Sequence, residues 1–329
     1  MTLYLHGLGH FHPDNEITNA FLEELEIGTT EQWILERVGI RTRRTVLPLD
    51  YIRETRNQNP QASAEAALYN NADIGARAAR MAVERAGIDL SDIGMVIAGG
   101  SAPDTLTPAD ACNIAAKLEL EVPSFDINSA CTSFFVPVRM LLSMDPQALP
   151  ELILLVTAES MTRTVDYNDR ATAVLWGDGA AAAVVSTRVP GRAEFLAPSL
   201  DSTPSGYDKV VIPREGFFAQ EGQAVHKFAI KRMSERVKTL QRHDGLAARE
   251  LAFVGHQANL RMLESVCKLC RIPEGRHFHN VQRYGNTAAA GSTSVMSERW
   301  KQWKASDAIA VAGVGAGLTW GSYLLAFND

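Results

Sequence analysis

The sequence has few cysteines, no long apolar run and no strong excess of one charge, and each absence excludes a class of protein. Four cysteines in 329 residues are too few for a disulfide framework and are typical of a reducing compartment. No stretch reaches the roughly eighteen apolar residues of a membrane span, and the first residues do not resemble a signal peptide. A net charge of -6 argues against nucleic acid as a partner. We therefore expect a cytoplasmic globular protein with neither a nucleic-acid nor a membrane partner.

The residues that are present alternate between apolar strands and helices, and this order occurs twice. IGMVIAGG at 93–100 corresponds to LAFVGHQAN at 251–259, and WGDGAAAAVV at 176–185 corresponds to GAGLTWGSYLL at 315–325. Strands that alternate with helices favour an α/β fold with a mainly parallel sheet. We predict a pseudo-dimer of two duplicated βα halves, residues 1–187 and 188–329, with their sheets packed through shared helices.

Three residues that can do chemistry follow apolar strands in this double pattern. Cys131 lies between the strand VPSFDI and an apolar helical pattern, His256 ends LAFVGH, and Asn286 lies in YGNTAAAGS. Alone, each has an ordinary explanation as a small buried residue, a hydrogen-bonded core histidine or a helix N-cap. A cysteine at a strand-to-helix junction is also predicted to favour the thiolate, because a helix N-terminus stabilises negative charge. Their matched positions predict that the three side chains meet.

The motifs together resemble one known family. HQANLR, GNTAAAGS, GAGLTWGS, WGDGAAAAVV and SACTSF are similar to those of β-ketoacyl-acyl-carrier-protein synthase III in the thiolase superfamily, and the resemblance covers nearly the whole chain. It implies a thiolase-like five-layer αβαβα sandwich, with the nucleophilic cysteine in the first half and the histidine and asparagine in the second. It also implies a homodimer that uses a coenzyme A thioester as substrate and needs no cofactor.

The resemblance assigns roles to the matching residues. Cys131 would accept an acyl group from acyl-CoA, and His256 and Asn286 would hydrogen-bond the malonyl thioester carbonyl during decarboxylation. The backbone N–H groups of Cys131 and Ala316 would form an oxyanion hole for the condensation step. The expected reaction is a ping-pong condensation with malonyl-acyl carrier protein that gives a β-ketoacyl product, in fatty-acid or polyketide-type biosynthesis.

Further positions match the family's substrate-binding residues. Those expected to contact coenzyme A and its pantetheine arm are Trp33, Arg37, Arg163 and Asn259. Those expected to dock the acidic carrier protein are Lys227, Arg261 and Lys268. Two departures favour a larger or unusual acyl group: Thr107 replaces the bulky aromatic residue that closes the acyl pocket, and residues 43–71 form a longer polar segment, expected to be an extended loop or a lid.

Other functions remain open from the sequence. An acyltransferase could pass the acyl group from Cys131 to an alcohol, amine or thiol, although Asn286 argues against it. A non-catalytic partner subunit would usually lack the nucleophile, and a non-decarboxylating enzyme would need an additional base that the sequence does not single out. The spacing of two cysteines and two histidines permits a zinc site, but the amphipathic helix around the cysteines disfavours it, and we predict no metal site. These four residues are Cys267, Cys270, His277 and His279.

Overall fold

The computed structural model describes residues 2–246 and 249–328. Its strands are β1 (Leu3–Phe11), β2 (Asn15–Thr18), β3 (Thr42–Thr45), β4 (Ile93–Gly99), β5 (Ser124–Asp126), β6 (Leu152–Glu159), β7 (Gly179–Ser186), β8 (Ala193–Ser202), β9 (Val210–Val211), β10 (Ala219–Gln220), β11 (Glu250–Gly255), β12 (Asp307–Gly315) and β13 (Thr319–Phe327). Its helices are α1 (Asn19–Glu24), α2 (Glu31–Arg37), α3 (Leu49–Thr55), α4 (Pro60–Ala66), α5 (Asn71–Ala86), α6 (Asp110–Lys117), α7 (Phe135–Leu141), α8 (Arg170–Ala173), α9 (Gly222–Leu240), α10 (Leu260–Cys270), α11 (Val281–Tyr284) and α12 (Gly291–Glu298).

The two halves repeat one strand order. In the first half the order is β5-β4-β6-β7-β1, and β7 runs antiparallel to both of its neighbours while β4 is parallel to β5 and β6. In the second half the order is β11-β12-β13-β8, with β11 parallel to β12 and β13 antiparallel to both neighbours. A parallel bridge between Phe253 and His277 lies where β5 lies in the first half. The predicted duplication is therefore confirmed, but the sheet is mixed in both halves rather than mainly parallel.

Five layers form around these sheets, as predicted. Helices α5 and α6 pack on the first-half strands, and α9 contacts α10 and the second-half strands β12 and β13. Between the sheets, α7 of the first half contacts β8 and β13, whereas α12 of the second half contacts β1 and β7. The sheets also join directly, because Leu3–Leu5 of β1 pair with Ala193–Phe195 of β8. The thiolase-like α/β fold class is confirmed.

Small residues allow the outer helix α5 to lie close to β1. A Cβ atom added to Gly9 would lie 1.9 Å from the carbonyl oxygen of Ala78, so only glycine fits there. The helix begins with a capping box formed by Asn70 and Asp73 and ends at Gly87, which adopts a left-handed conformation. The alanine-rich pattern thus explains the close helix–sheet contact.

The polar segment 43–71 is not the extended loop that the sequence predicted. It forms β3, α3 and α4, and Arg43 and Asn57 are fully buried. The Asn57 side chain donates to the backbone oxygens of Arg163 (2.9 Å) and Val165 (2.8 Å). The expectation was wrong because a few polar side chains of this segment, Arg43, Thr45, Asn57 and Ser63, are buried and hydrogen-bonded and so fix it against the rest of the fold.

Three short segments complete the description. NEIT (15–18) forms the strand β2, and HFHNV (277–281) contributes a single bridge through His277. Residues 174–178 form a loop before β7. The predicted division after residue 187 falls between β7 and β8 and remains a prediction. Within residues 2–246 and 249–328, no helix has both the length and the apolar character of a bilayer span.

Candidate active site

The three predicted catalytic residues line one cavity. Cys131, His256 and Asn286 contribute to the wall of a cavity of about 120 Å³, together with the predicted pantetheine contact Asn259 and the predicted oxyanion-hole residue Ala316. Most of the remaining wall is apolar and includes Leu175, Trp176, Phe218, Phe228, Met262, Val314 and Leu318. The structure thus brings together residues from both halves, while their individual roles remain predictions.

Cys131 lies in a 3₁₀ turn that separates β5 from α7. The turn covers Ala130–Thr132, and α7 begins only at Phe135. Burial, and after it the negative charge of Glu159, raises the pKa of the Cys131 thiol to about 12. The sequence-based expectation of a thiolate is therefore wrong, because loss of hydration outweighs any stabilisation from the helix end. The Cys131 thiol is therefore neutral near pH 7.

The turn with Cys131 packs against the end of β12. The Thr132 hydroxyl hydrogen-bonds the Thr319 hydroxyl at 2.7 Å, and Thr319 Oγ1 donates to the carbonyl oxygen of Ala316 at 3.1 Å. A Cβ atom on Gly315 would lie 3.1 Å from the backbone nitrogen of Thr132, so glycine permits this approach. These contacts hold the backbone around Ala316 beside the nucleophile.

His256 follows directly after β11 and is buried. Its backbone N–H donates to the carbonyl oxygen of Ala312 in β12 at 2.9 Å. Burial lowers the pKa of its imidazole to about 4, so the ring is neutral near pH 7. A neutral ring can donate one hydrogen bond without placing a permanent charge in the cavity.

Asn286 is fixed by backbone and side-chain hydrogen bonds. Its N–H donates to the carbonyl oxygen of Leu175 at 2.8 Å, and its carbonyl oxygen accepts the N–H of Gly177 at 3.0 Å. Its side-chain Oδ1 accepts the N–H of Ala288 at 3.0 Å. Because the amide oxygen is bound in this way, the Nδ2 group is left to donate toward the cavity.

A buried arginine supports the segment that holds Asn286. The Arg43 guanidinium donates through Nε to the carbonyl oxygen of Val174 at 3.0 Å and through Nη1 to Asn19 Oδ1 at 2.6 Å. Its side chain also packs where a Cβ atom of Gly285 would lie, 2.7 Å from Arg43 Cγ. Arg43 thus contacts both backbone segments that pair with each other at Asn286, one at Val174 and the other at Gly285. The sequence analysis missed it because it lies in the segment taken for a loop.

Glu159 is a second residue that the sequence analysis missed. Its carboxyl, at the end of β6, accepts hydrogen bonds from the Ser101 N–H at 2.9 Å and from the Ala289 N–H at 3.1 Å. Burial raises its pKa to about 8, although these hydrogen bonds partly oppose the shift. Because Ala289 closely follows Asn286, the carboxyl ties the first half to the asparagine loop. An acidic residue at the end of the apolar strand LILLVTAE was the available signal.

Trp33 lies beside the predicted Arg37 and beside Arg170, which was not predicted, but not beside the predicted Arg163. The Arg37 guanidinium lies 5.8 Å from the Trp33 ring centroid and that of Arg170 lies 5.1 Å from it. Arg163, by contrast, is buried and forms an ion pair with Asp104 at 2.6 Å. Arg163 is therefore not exposed for coenzyme A beside Trp33, whereas Arg170 lies over the Trp33 ring.

The predicted docking residues divide into two kinds. Lys227 on α9 and Lys268 on α10 are exposed. Arg261 instead donates through Nη2 to the carbonyl oxygen of Leu35 at 2.8 Å, at the end of the helix that carries Trp33. Arg261 therefore positions α2.

Thr107 and the possible zinc ligands lie outside the cavity. Thr107 is exposed in the loop between β4 and α6, so it does not close the acyl pocket of its own chain. Cys267 and Cys270 are buried on the inner face of α10. Among the described residues, no group of three or more His, Cys, Asp or Glu side chains could hold a metal.

Comparisons with known proteins agree with this geometry. The family model 3-Oxoacyl-[acyl-carrier-protein (ACP)] synthase III matches residues 125–204, and its C-terminal model matches residues 242–327. Beta-ketoacyl-[acyl-carrier-protein] synthase III of Fusobacterium nucleatum is 32% identical, over 97% of this chain and 97% of its own. These matches include the segments that carry Cys131, His256 and Asn286.

Solved structures give the same result. The 3-oxoacyl-[acyl-carrier-protein] synthase III of Aquifex aeolicus superposes with a TM-score of 0.86 at 28% identity, covering 99% of this chain and 100% of its own. The priming β-ketosynthase of the R1128 polyketide pathway superposes with a TM-score of 0.82 at 25% identity, covering 99% and 96%. The fold and the comparisons define an acyl-transferring condensing enzyme of the thiolase superfamily. The chain belongs to the β-ketoacyl-acyl-carrier-protein synthase III family, as its motifs predicted.

Proposed function

We propose that this enzyme condenses the acyl group of an acyl-CoA with malonyl-acyl carrier protein, releasing CO₂ and a β-ketoacyl product for fatty-acid or polyketide-type biosynthesis. The observation that carries the proposal is the single cavity lined by Cys131, His256 and Asn286. A thiol, a neutral imidazole and an oriented amide at one apolar cavity are the groups that this reaction requires.

In the first half-reaction, the Cys131 sulfur bonds to the acyl carbon and the thioester bond of acyl-CoA breaks. The thiol proton leaves with coenzyme A, so atoms and charge balance. The pKa of about 12 makes the free thiolate scarce at neutral pH. Attack therefore requires the proton to move as the carbon–sulfur bond forms.

In the second half-reaction, malonyl thioester loses CO₂ and leaves an enolate. His256 and the Nδ2 group of Asn286 donate hydrogen bonds to the enolate oxygen, each worth several kcal/mol at most. The enolate carbon attacks the acyl-cysteine, and the resulting oxyanion accepts the backbone N–H groups of Cys131 and Ala316. Collapse of this intermediate breaks the bond to sulfur, and the sulfur regains a proton.

The substrates would enter past α2 and α9. Trp33, with Arg37 and Arg170 beside its ring, offers an aromatic surface and two cations for the nucleotide end of coenzyme A. Asn259 in the cavity wall would contact the pantetheine arm. The carrier protein would dock on exposed lysines of α9 and α10, which are Lys227, Lys231, Lys238 and Lys268.

A homodimer would use the free edge of the first-half sheet. The edge strand β5 has an exposed Phe125 (38%), and the neighbouring loop has an exposed Leu106 (77%). Thr107 lies in that same loop, so it can line an acyl pocket only in a partner copy. Four free cysteines favour a reducing compartment and hence the cytoplasm.

Half-reactions measured separately test the proposal. Intact mass after incubation with acyl-CoA should show one acyl adduct on the enzyme and none on Cys131→Ser. Asn286→Ala should acylate normally but release CO₂ from malonyl carrier protein at least about 100-fold more slowly. An adduct that passes to other acceptors but never consumes malonyl carrier protein would favour a simple acyltransferase. No adduct with any acyl-CoA would favour a non-catalytic partner subunit.

A further inference from the structure

The indole N–H of Trp176 is a buried donor without a partner, and Trp176 is a residue of the cavity wall. Trp176 is only 4% exposed, and its Nε1 atom has no hydrogen-bond acceptor. Among the buried polar atoms of residues 2–246 and 249–328 that lack a partner, this is the only one whose residue lines the cavity. A buried donor that has lost its hydration without gaining an acceptor destabilises the empty site.

Trp176 lies at the depth of the reacting groups. It forms a parallel bridge with Asn286, and the residues on either side of it hold the Asn286 backbone. Side chains of directly paired residues project from the same face, so the indole stands beside the Asn286 carboxamide. The ring also contacts Phe218 edge-on, with centroids 4.6 Å apart.

None of the proposed catalytic contacts uses this donor. The malonyl carbonyl is assigned to His256 and Asn286, and the acyl carbonyl to two backbone N–H groups. The other polar side chains of this wall, Gln220 and His226, are half-buried rather than enclosed. Two acceptors remain for Trp176, which are an oxygen further along the acyl chain and, once the carrier protein is bound, the malonyl carboxylate.

We propose that the Trp176 N–H hydrogen-bonds a hydroxyl or carbonyl oxygen near the third carbon of the acyl group on Cys131. The preferred primers are then short oxygenated acyl-CoAs rather than plain alkyl ones. This inference rests on the proposed function, since it requires that Cys131 is acylated. The N–H is enclosed in this structure, so a neighbouring side chain must move as the acyl chain binds, an adjustment that is common on binding.

Acylation rates with matched thioesters test the proposal. Butyryl-CoA and 3-hydroxybutyryl-CoA have the same carbon chain, and omission of malonyl carrier protein removes its carboxylate as a competing acceptor. For the wild-type enzyme, the kcat/KM of acylation should be about tenfold higher with the hydroxylated substrate than with butyryl-CoA. Trp176→Phe keeps the aromatic packing and removes the N–H, so this preference should fall to about one. Trp300→Phe, a buried tryptophan that does not line the cavity, should keep it.

The outcomes separate this inference from the proposed function. Equal rates with both substrates, or an unchanged preference in Trp176→Phe, would overturn the inference while leaving the condensing activity intact. No acylation with either substrate would instead contradict the proposed function. The indole ¹H–¹⁵N spectrum of wild-type enzyme gives a second test that does not depend on the variant folding. One indole proton should shift downfield on acylation with the hydroxylated substrate and not with butyryl-CoA, and identical spectra would also overturn the inference.

Discussion

Glu159→Gln should remove a pH-dependent loss of stability. The folded-state pKa of about 8 lies above the ordinary value of 4.5, so the protonated carboxyl favours the folded state. This stabilisation is fully present below pH 4.5 and is lost as the pH rises through 8. At about 1.4 kcal/mol per pKa unit, the whole loss is about 5 kcal/mol, of which about 2 kcal/mol falls between about pH 6.5 and 8.5.

Few other buried groups change stability in that pH range. The pKa values of His12 (about 3) and His256 (about 4) are lowered from 6.5, so their contribution is lost as the pH falls below 6.5. The pKa of Asp178 is raised to about 6, so its effect on the unfolding free energy falls mainly below pH 6.5. The slope between about pH 6.5 and 8.5 therefore reports chiefly on Glu159.

Urea denaturation at a series of pH values measures the effect. The unfolding free energy of the wild type should fall by about 2 kcal/mol relative to that of Glu159→Gln over this range. Glutamine keeps an oxygen that can accept the Ala289 N–H, so the fold should persist. Glu65→Gln, on the exposed face of α4, is the control and should follow the wild type. Parallel curves for wild type and Glu159→Gln would refute the reasoning.

Four further variants test how the site is held and how it binds its substrates. In Gly177→Ala the new Cβ would lie 1.9 Å from the Tyr284 carbonyl oxygen, so we expect about 3 kcal/mol or more of destabilisation in urea; wild-type stability would contradict this contact. Arg261→Ala should raise KM for acyl-CoA several-fold by loosening α2. Lys268→Ala should instead change only KM for malonyl carrier protein. If either variant changed KM equally for both substrates, the assignment of Arg261 to α2 and of Lys268 to carrier docking would be wrong. Arg170→Ala should raise KM for acyl-CoA about five- to tenfold but leave KM for acyl-pantetheine, which lacks the nucleotide, unchanged. An equal rise in both KM values would show that Arg170 does not bind the nucleotide end.

The sequence predicted that three residues meet in one cavity because their motifs occupy corresponding places in the two halves. Cys131, His256 and Asn286 stand in motifs whose order survives in the sheet, so their meeting in one cavity required only the duplicated topology. Glu159 also ends a strand, but neither its hydrogen-bond partners nor those of Arg43 could be found in this way. The importance of both residues arises from partners far along the chain, Ala289 and Val174, and such pairing has no local pattern.

The errors have equally physical causes. Arg163 and Arg170 are close in the sequence, but one turns inward to Asp104 and the other lies over Trp33. A linear pattern cannot distinguish these directions. The charge state of Cys131 was also misjudged, because its burial and its charged neighbour depend on the folded surroundings.

The exchange of α7 and α12 between the sheets makes the two halves interdependent. Each half leaves an apolar face of its own sheet to be covered by a helix from the other. A fragment that ends after β7 would expose that face to water and would not form a stable unit by itself. The two halves therefore form one cooperative body, and neither should remain folded when the other is removed.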